Sequence, residues 1–264
     1  MIDINKSKIA FKEFVSNYEE TPGYNLKIVH TYHVANNARE LAKKLNLSQE
    51  DIDLAELIGI LHDIGRFEEL KVMNGFNSVK FNHAEHGVKM LFEENLIRKF
   101  IEDPSYDEII RVAIINHSKL KIDDNLSEKE LLHSKIIRDA DKLDNFRVKE
   151  EENIEDIFAG TVKSMEEIEN SLISPKVYEE AINRRCIDIH DRVYPLDYFI
   201  CVLAFAYDLN FQETKDIVIE KNYIDRLIDR VTYKNETSRN QMEEIRKTLN
   251  NHLKEDYYEN TKRR

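Results

Sequence analysis

Apolar positions along the chain recur mostly at spacings of three and four, the period of helices with one buried face. Ile9, Ala10, Phe11, Phe14 and Val15 mark a first helix over 5–18, which Thr21-Pro22-Gly23 breaks. Leu26, Val29, His33, Ala38, Leu41, Ala42 and Leu45 draw the stripe of a long helix from about 25 to 45, with His30 beside the stripe. Ser48, with Asp51 three residues on, starts the next helix over 49–63. There Ile52, Leu54, Ala55, Leu57, Ile58, Ile60 and Leu61 are apolar nearly all round, as in a central helix. Gly65 is placed to end it, and residues 66–81 read as an irregular polar loop suited to a lid.

The pattern stays helical beyond that loop. Asn82 opens a helix through Phe92, and Ile109 to Ile115 make another that ends at Asn116-His117-Ser118. Ser127 begins a helix bearing Leu131, Leu132, Ile136, Ile137, Ala140, Leu143 and Phe146. Further helices are expected at about 164–172, 175–184, 196–209, 212–230 and 236–254, after a Glu-rich connector at 149–156. No repeat and no alternating run of strand length is visible. The expected fold is all-α, with residues 1–150 as a helical core and 151–264 as a C-terminal helical extension packed on it.

Composition narrows the function. In 264 residues, six glycines and four prolines favour long helices over a turn-rich β fold. A net charge of −12 disfavours general binding to nucleic acid polymers or anionic membranes. It leaves room for a small phosphorylated substrate in a locally positive pocket. No run approaches the roughly 18 apolar residues of a membrane span, and Met1–Glu20 holds no signal-peptide core. Cys186 and Cys201 lack metal-site spacing and fit a reducing, cytoplasmic setting.

The chemistry concentrates where the apolar run Ile58–Leu61 ends in His62, Asp63, Gly65 and Arg66. Burying an imidazole and a carboxylate is costly unless something pairs with them. A divalent cation accepts both. His30, His62, Asp63, His83, His117 and Asp141 all lie in or beside apolar helical segments, and packed helices can aim such side chains at one centre. Six ligands exceed the need of one tetrahedral zinc and suit two ions sharing a carboxylate and a water.

His30 with Val34 and Ala35, the His62-Asp63-Ile64-Gly65-Arg66 run, and Asp141 in Ala-Asp-Lys-Leu resemble the HD-domain metal-dependent phosphohydrolase superfamily over about residues 25–147. The resemblance implies a first metal site of His30, His62, Asp63 and Asp141. His83-Ala84-Glu85-His86-Gly87 and His117 resemble the two-metal phosphodiesterase-like branch. They imply a second site of His83 and His117, bridged by Asp63. That branch often has two consecutive histidines where this chain has His117-Ser118. The Gly-Tyr-Pro signature of cyclic-dinucleotide phosphodiesterases is absent, which argues against that substrate.

Several neighbours compete for roles. His33 is the rival of His30 and a candidate substrate contact; Asp139 and Asp144 rival Asp141, and His86 rivals His83. Arg66 suits bidentate phosphate contact. Asn145, one turn past Asp141, is a further substrate candidate, and Lys142 reads as a solvated neighbour. Glu68 and Glu69 could supply a general acid or base near the metals but read rather as solvated loop charges, and His133 and His252 read as surface or helix-face residues. His190-Asp191 repeats the dipeptide without an apolar helix before it and is set aside.

The expected activity is metal-dependent hydrolysis of a phosphate ester of a nucleotide or other small phosphorylated metabolite. Asp63 and Arg66 act at the reacting centre, with two divalent ions drawn from Mn, Fe, Co, Ni, Zn or Mg. The alternatives are an HD-type di-iron oxygenase and a metal-stabilised regulatory or interaction protein. The C-terminal helices would cover the site or form a homo-oligomer surface.

Overall fold

Thr21 starts the second helix, the first having ended at Val15. Its hydroxyl accepts a hydrogen bond from Tyr24 N, and Pro22 fills the first helical position, where a missing N–H costs nothing. The computed structural model describes residues 2–76, 79–153 and 164–261. Among them there is no strand, and no helix is long and apolar enough to cross a membrane. The chain divides into two compact units, residues 1–144 and 145–264, with the change falling inside one helix.

In the first unit, α1 (Ile4–Val15), α2 (Pro22–Lys44) and α3 (Gln49–Leu61) form the scaffold. Ser48 caps α3 as its sequence predicts, accepting from Asp51 N at 3.1 Å. Every residue of α3 from Leu54 to Leu61 is buried, Glu56 included. Glu56 meets Lys8 of α1 at 2.6 Å and Arg39 of α2 at 3.8 Å, so a lone carboxylate in the core is paired from both neighbours. Gly59 lets α2 and α3 touch, because a Cβ there would stand 2.5 Å from Ala35 Cα.

α2 is turned differently from its sequence stripe. Val29 and His33 face solvent, while His30, Thr31, Val34 and Ala35 are buried. A Leu-based stripe follows the second half of the helix, and the first half is oriented by what it packs against.

The expected loop at 66–81 is largely helix. After a turn at His62–Ile64, α4 runs over Gly65–Met73. Its anchor is Phe67, whose ring lies 5.8–6.0 Å from those of Phe11, Phe14, Tyr18 and Tyr24. One aromatic residue in a polar stretch carries little periodicity, yet burying it contributes about 2–3 kcal/mol. Gly65 therefore does not terminate α3. It begins α4, and its missing side chain admits the His83 carbonyl and Gly87 N–H, which a Cβ would meet. Asn74, at φ 50°, closes α4. Of the lid expectation, residues 74–76 and 79–82 remain irregular, and 77–78 lie outside the described residues.

α5 (His83–Val88), capped by Asn82, passes into a π-turn at Lys89–Glu93. α6 (Ile97–Phe100), α7 (Asp107–His117) and α8 (Glu128–Glu151) complete the unit. α8 extends to Glu151, so the start of the Glu-rich connector is helical, and its residues from 154 on lie outside the described residues.

The second unit holds α9 (Met165–Glu169), α10 (Pro175–Ile182), α11 (Pro195–Leu203), α12 (Gln212–Glu220), α13 (Tyr223–Ile228) and α14 (Glu236–Thr261). The single helix expected over 212–230 breaks at Asn222, which takes a left-handed φ of 51°. α14 buries Met242, Ile245, Leu249 and Leu253 and packs against α10, α12 and α13. Asp197, fully buried, accepts from Ser174 N and Oγ and from Val193 and Tyr194 N–H, tying the starts of α10 and α11 together.

Candidate metal centre

Helix ends deliver most of the site. His62 and Asp63 follow the last residue of α3, His83 opens α5, and His117 closes α7. His30 comes from the third turn of α2, and Asp141 from the middle of α8.

Two of the histidines are oriented by their own backbone. His62 Nδ1 donates to Gly59 O at 2.7 Å, and His117 Nδ1 donates to Ile114 O at 2.6 Å. A carbonyl only accepts, so each Nδ1 carries the proton and each Nε2 presents a lone pair. His30 is held the same way by a carboxylate, with Nδ1 2.6 Å from Asp144 Oδ2.

The Nε2 atoms converge in two groups that meet at Asp63. His30, His62 and Asp141 form one, with His30 Nε2 and His62 Nε2 at 3.1 and 3.8 Å from Asp141 Oδ1. Asp63 Oδ2 lies 3.5 and 3.6 Å from the same two nitrogens. Asp63, His83 and His117 form the other, with Asp63 Oδ1 at 3.3 Å from His83 Nε2 and 3.6 Å from His117 Nε2. Each oxygen of Asp63 thus serves a different group.

The donor set fits divalent ions. The Nε2 atoms of His30 and His62 are buried with no aligned hydrogen-bond partner, an arrangement that costs free energy unless a cation accepts the lone pairs. His83 Nε2 and His117 Nε2 stand 3.1 Å apart, a separation that two nitrogens keep when both ligate one ion at about 2.1 Å.

Protonation follows the same design. Burial pulls the His62 imidazole down to about 4, against the opposing pull of Asp63 and Asp141. Burial, then Arg66, also holds His83 well below its ordinary value. For His30, burial and Lys27 pull downward, but the carboxylates of Asp141 and Asp144 raise it overall. Burial resists ionisation of Asp63, and Lys27, His62, His117 and Arg66 overcome it, leaving the carboxyl well below the usual range. Asp141 is also lowered, His30 outweighing burial.

Residues 28–145 match the family model of the HD domain. This stretch is similar to the HD domain, as its sequence pattern leads one to expect. No curated protein and no solved structure matches it. HD-domain proteins bind divalent metals and are largely metal-dependent hydrolases, and both ligand groups of this chain lie inside the matched residues.

Of the other candidate residues, Glu69, Lys142 and His133 lie deeper than the sequence placed them. His33 is exposed, its Nδ1 3.9 Å from Asp144 Oδ1. His86 turns away from the groups and packs on Phe81. Arg66 points back at the centre, Nε 3.5 Å from Asp63 Oδ1, while its Nη1 donates to Glu69 at 2.6 Å. Glu69 is fully buried, not a solvated loop charge, because α4 turns it inward. Lys142 is likewise buried on α8. His133 is buried and meets Asp51 at 3.3 Å, and His252 packs its ring on Tyr207. Asn145 is half-buried, one residue past Asp144. His190 is exposed and pairs with Asp188.

Three contributors escaped the sequence reading. Asp144, a rival of Asp141 in the sequence, instead orients His30. Lys27 places its ammonium 2.7 Å from Asp63 Oδ2; its one signal was a position one turn before His30. Arg138, buried, donates to the carbonyls of Asn116 and Lys119 at 2.6 Å and so clamps the end of α7 that carries His117.

Proposed function

We propose that this domain is a metal-dependent phosphohydrolase with a binuclear centre, acting on the phosphate ester of a nucleotide or another small phosphorylated metabolite. The observation that carries this reading is the split of Asp63, one oxygen toward His30, His62 and Asp141 and the other toward His83 and His117. Two divalent ions held there supply an activated water and polarise the phosphate oxygens.

The protein's own part is positioning. The paired carboxylate of Asp63 fixes the spacing of the two groups. The Nδ1 hydrogen bonds of His30, His62 and His117 keep their lone pairs aimed inward without rotation. Arg66, braced by Glu69, faces the centre and offers a guanidinium to the charge that develops on non-bridging phosphate oxygens. The ligand set accepts Mn, Fe, Co, Ni, Zn or Mg.

Metal content per chain, measured without chelator or affinity tag, tests the reading together with a screen of phosphate esters. About two ions and release of phosphate support it. About one ion removes His83 and His117 from the ligand set. Iron-dependent oxygen uptake without phosphate release transfers the assignment to an oxygenase. No metal after reconstitution overturns it.

A further inference from the structure

Asp63 is flanked by two cations of different character. Arg66 lies on the Oδ1 side and is tethered to buried Glu69. Lys27 lies on the Oδ2 side, 2.7 Å away, and among the described residues Asp63 is the one carboxylate it pairs with. Both cations lie against the ring of Phe76, with Lys27 Nζ 5.4 Å and Arg66 Cζ 5.7 Å from its centroid. Lys27 and Arg66 are nearly equally covered, with side chains 15% and 14% exposed.

Asp63 Oδ2 is also the oxygen that faces His30 and His62. An ammonium and a divalent ion sharing that oxygen would repel each other across a few ångströms of partly buried space. A lysine is a point charge on a flexible stem, with three donors that can be redirected. Arg66, held by Glu69, has no such freedom.

We propose that Lys27 is a substrate-binding residue that the bridging carboxylate holds in reserve. With the ligand groups empty, its ammonium neutralises Asp63. With the groups loaded, it leaves Oδ2 and binds a phosphate oxygen of the substrate at the mouth beside Phe76, opposite Arg66. This rests on the binuclear reading above, and it assigns Lys27 two effects of opposite sign. Lys27 weakens metal binding, by competing for Oδ2 and by its charge, and it strengthens phosphate binding.

The test uses the full chain, metal-free, as wild type, Lys27→Met and Lys27→Arg. Manganese affinity is read by competition with a chelator, and inorganic phosphate binding to the manganese-loaded proteins is read by calorimetry. Lys27→Met is expected to bind manganese at least about fivefold more tightly and phosphate at least about tenfold more weakly. Lys27→Arg keeps the charge and should hold phosphate within about threefold of wild type, and the tighter manganese binding of Lys27→Met itself rules out misfolding of that variant. Unchanged or weaker manganese binding by Lys27→Met, or unchanged phosphate binding, overturns the assignment of Lys27 and leaves the binuclear centre standing. Failure of the wild type to take up manganese or any other divalent ion overturns both.

Discussion

Asp144 grips the Nδ1 of His30 at 2.6 Å across 114 residues of sequence, and that one contact decides which nitrogen of His30 faces Asp141 and Asp63. A carboxylate on the far side of a ligating imidazole fixes the ring and raises its basicity. Asp144→Ala should therefore lower metal affinity by about 10–100-fold while leaving His62 and Asp141 in place. Chelator competition on the purified variant measures it, and wild-type affinity would show that His30 needs no such support.

Asp63 joins both groups, so its loss should not be partial. Asp63→Ala is expected to abolish metal retention at both groups and turnover with it. A fully metallated and active Asp63→Ala protein would sink the binuclear reading.

Arg138 acts through the backbone. Its guanidinium satisfies carbonyls at the end of α7, and an uncharged side chain would leave buried acceptors unpaired, at about 1–3 kcal/mol for each group. Arg138→Met should lower the thermal midpoint and reduce the metal content from two ions toward one, because His117 loses its fixed position. Stoichiometry by elemental analysis separates this from a general loss of folding, which would remove both ions together.

Gly65 is a contact point between α4 and α5. Gly65→Ala forces a Cβ against the His83 carbonyl and Gly87 N–H, both backbone groups that cannot swing aside. The expected outcome is a displaced His83, with loss of the second ion before the first, and a protein that unfolds at a lower temperature. A variant with unaltered melting and two bound ions would contradict the close approach.

The metal-free protein should have a bell-shaped stability against pH. His62 has a folded-state value of about 4 against roughly 6.5 unfolded, so between those values the unfolded chain binds the extra proton. Stability then falls as pH drops below about 6.5, by something on the order of 3 kcal/mol at pH 4 from His62 alone. His83 is shifted in the same direction and adds to that loss. His30 is raised, so its contribution is fully present below about 6.5 and disappears as pH rises through its folded-state value. Denaturant midpoints measured with chelator from pH 4 to 8.5 should peak near the middle of that range. A flat profile would mean that these histidines titrate alike folded and unfolded.

The helical elements were legible because their signals are local. Ser48 and Asn82 cap where their side chains predict, and the all-apolar character of residues 54–61 identifies α3 as central before any packing is known. The stretch 66–73 was illegible as helix because Phe67 alone anchors it, and the rings that receive Phe67 come from α1 and α2. Periodicity cannot register a partner that lies 50 residues away.

The sequence by itself determined the helical class, the HD pattern and a set of six ligand types in or beside buried segments. The resemblance implied His30 over its rival His33, His83 over His86, and Asp63 between the two groups; only the tertiary structure puts distances on that arrangement. It also brought Lys27, Asp144 and Arg138 to their tasks. The physical reason is the difference between period and partner. A repeat of three or four residues fixes that one side of a helix is buried. Which residue on that side meets which charge depends on how α2, α3, α5, α7 and α8 pack against one another, and that choice is set by contacts distant in sequence.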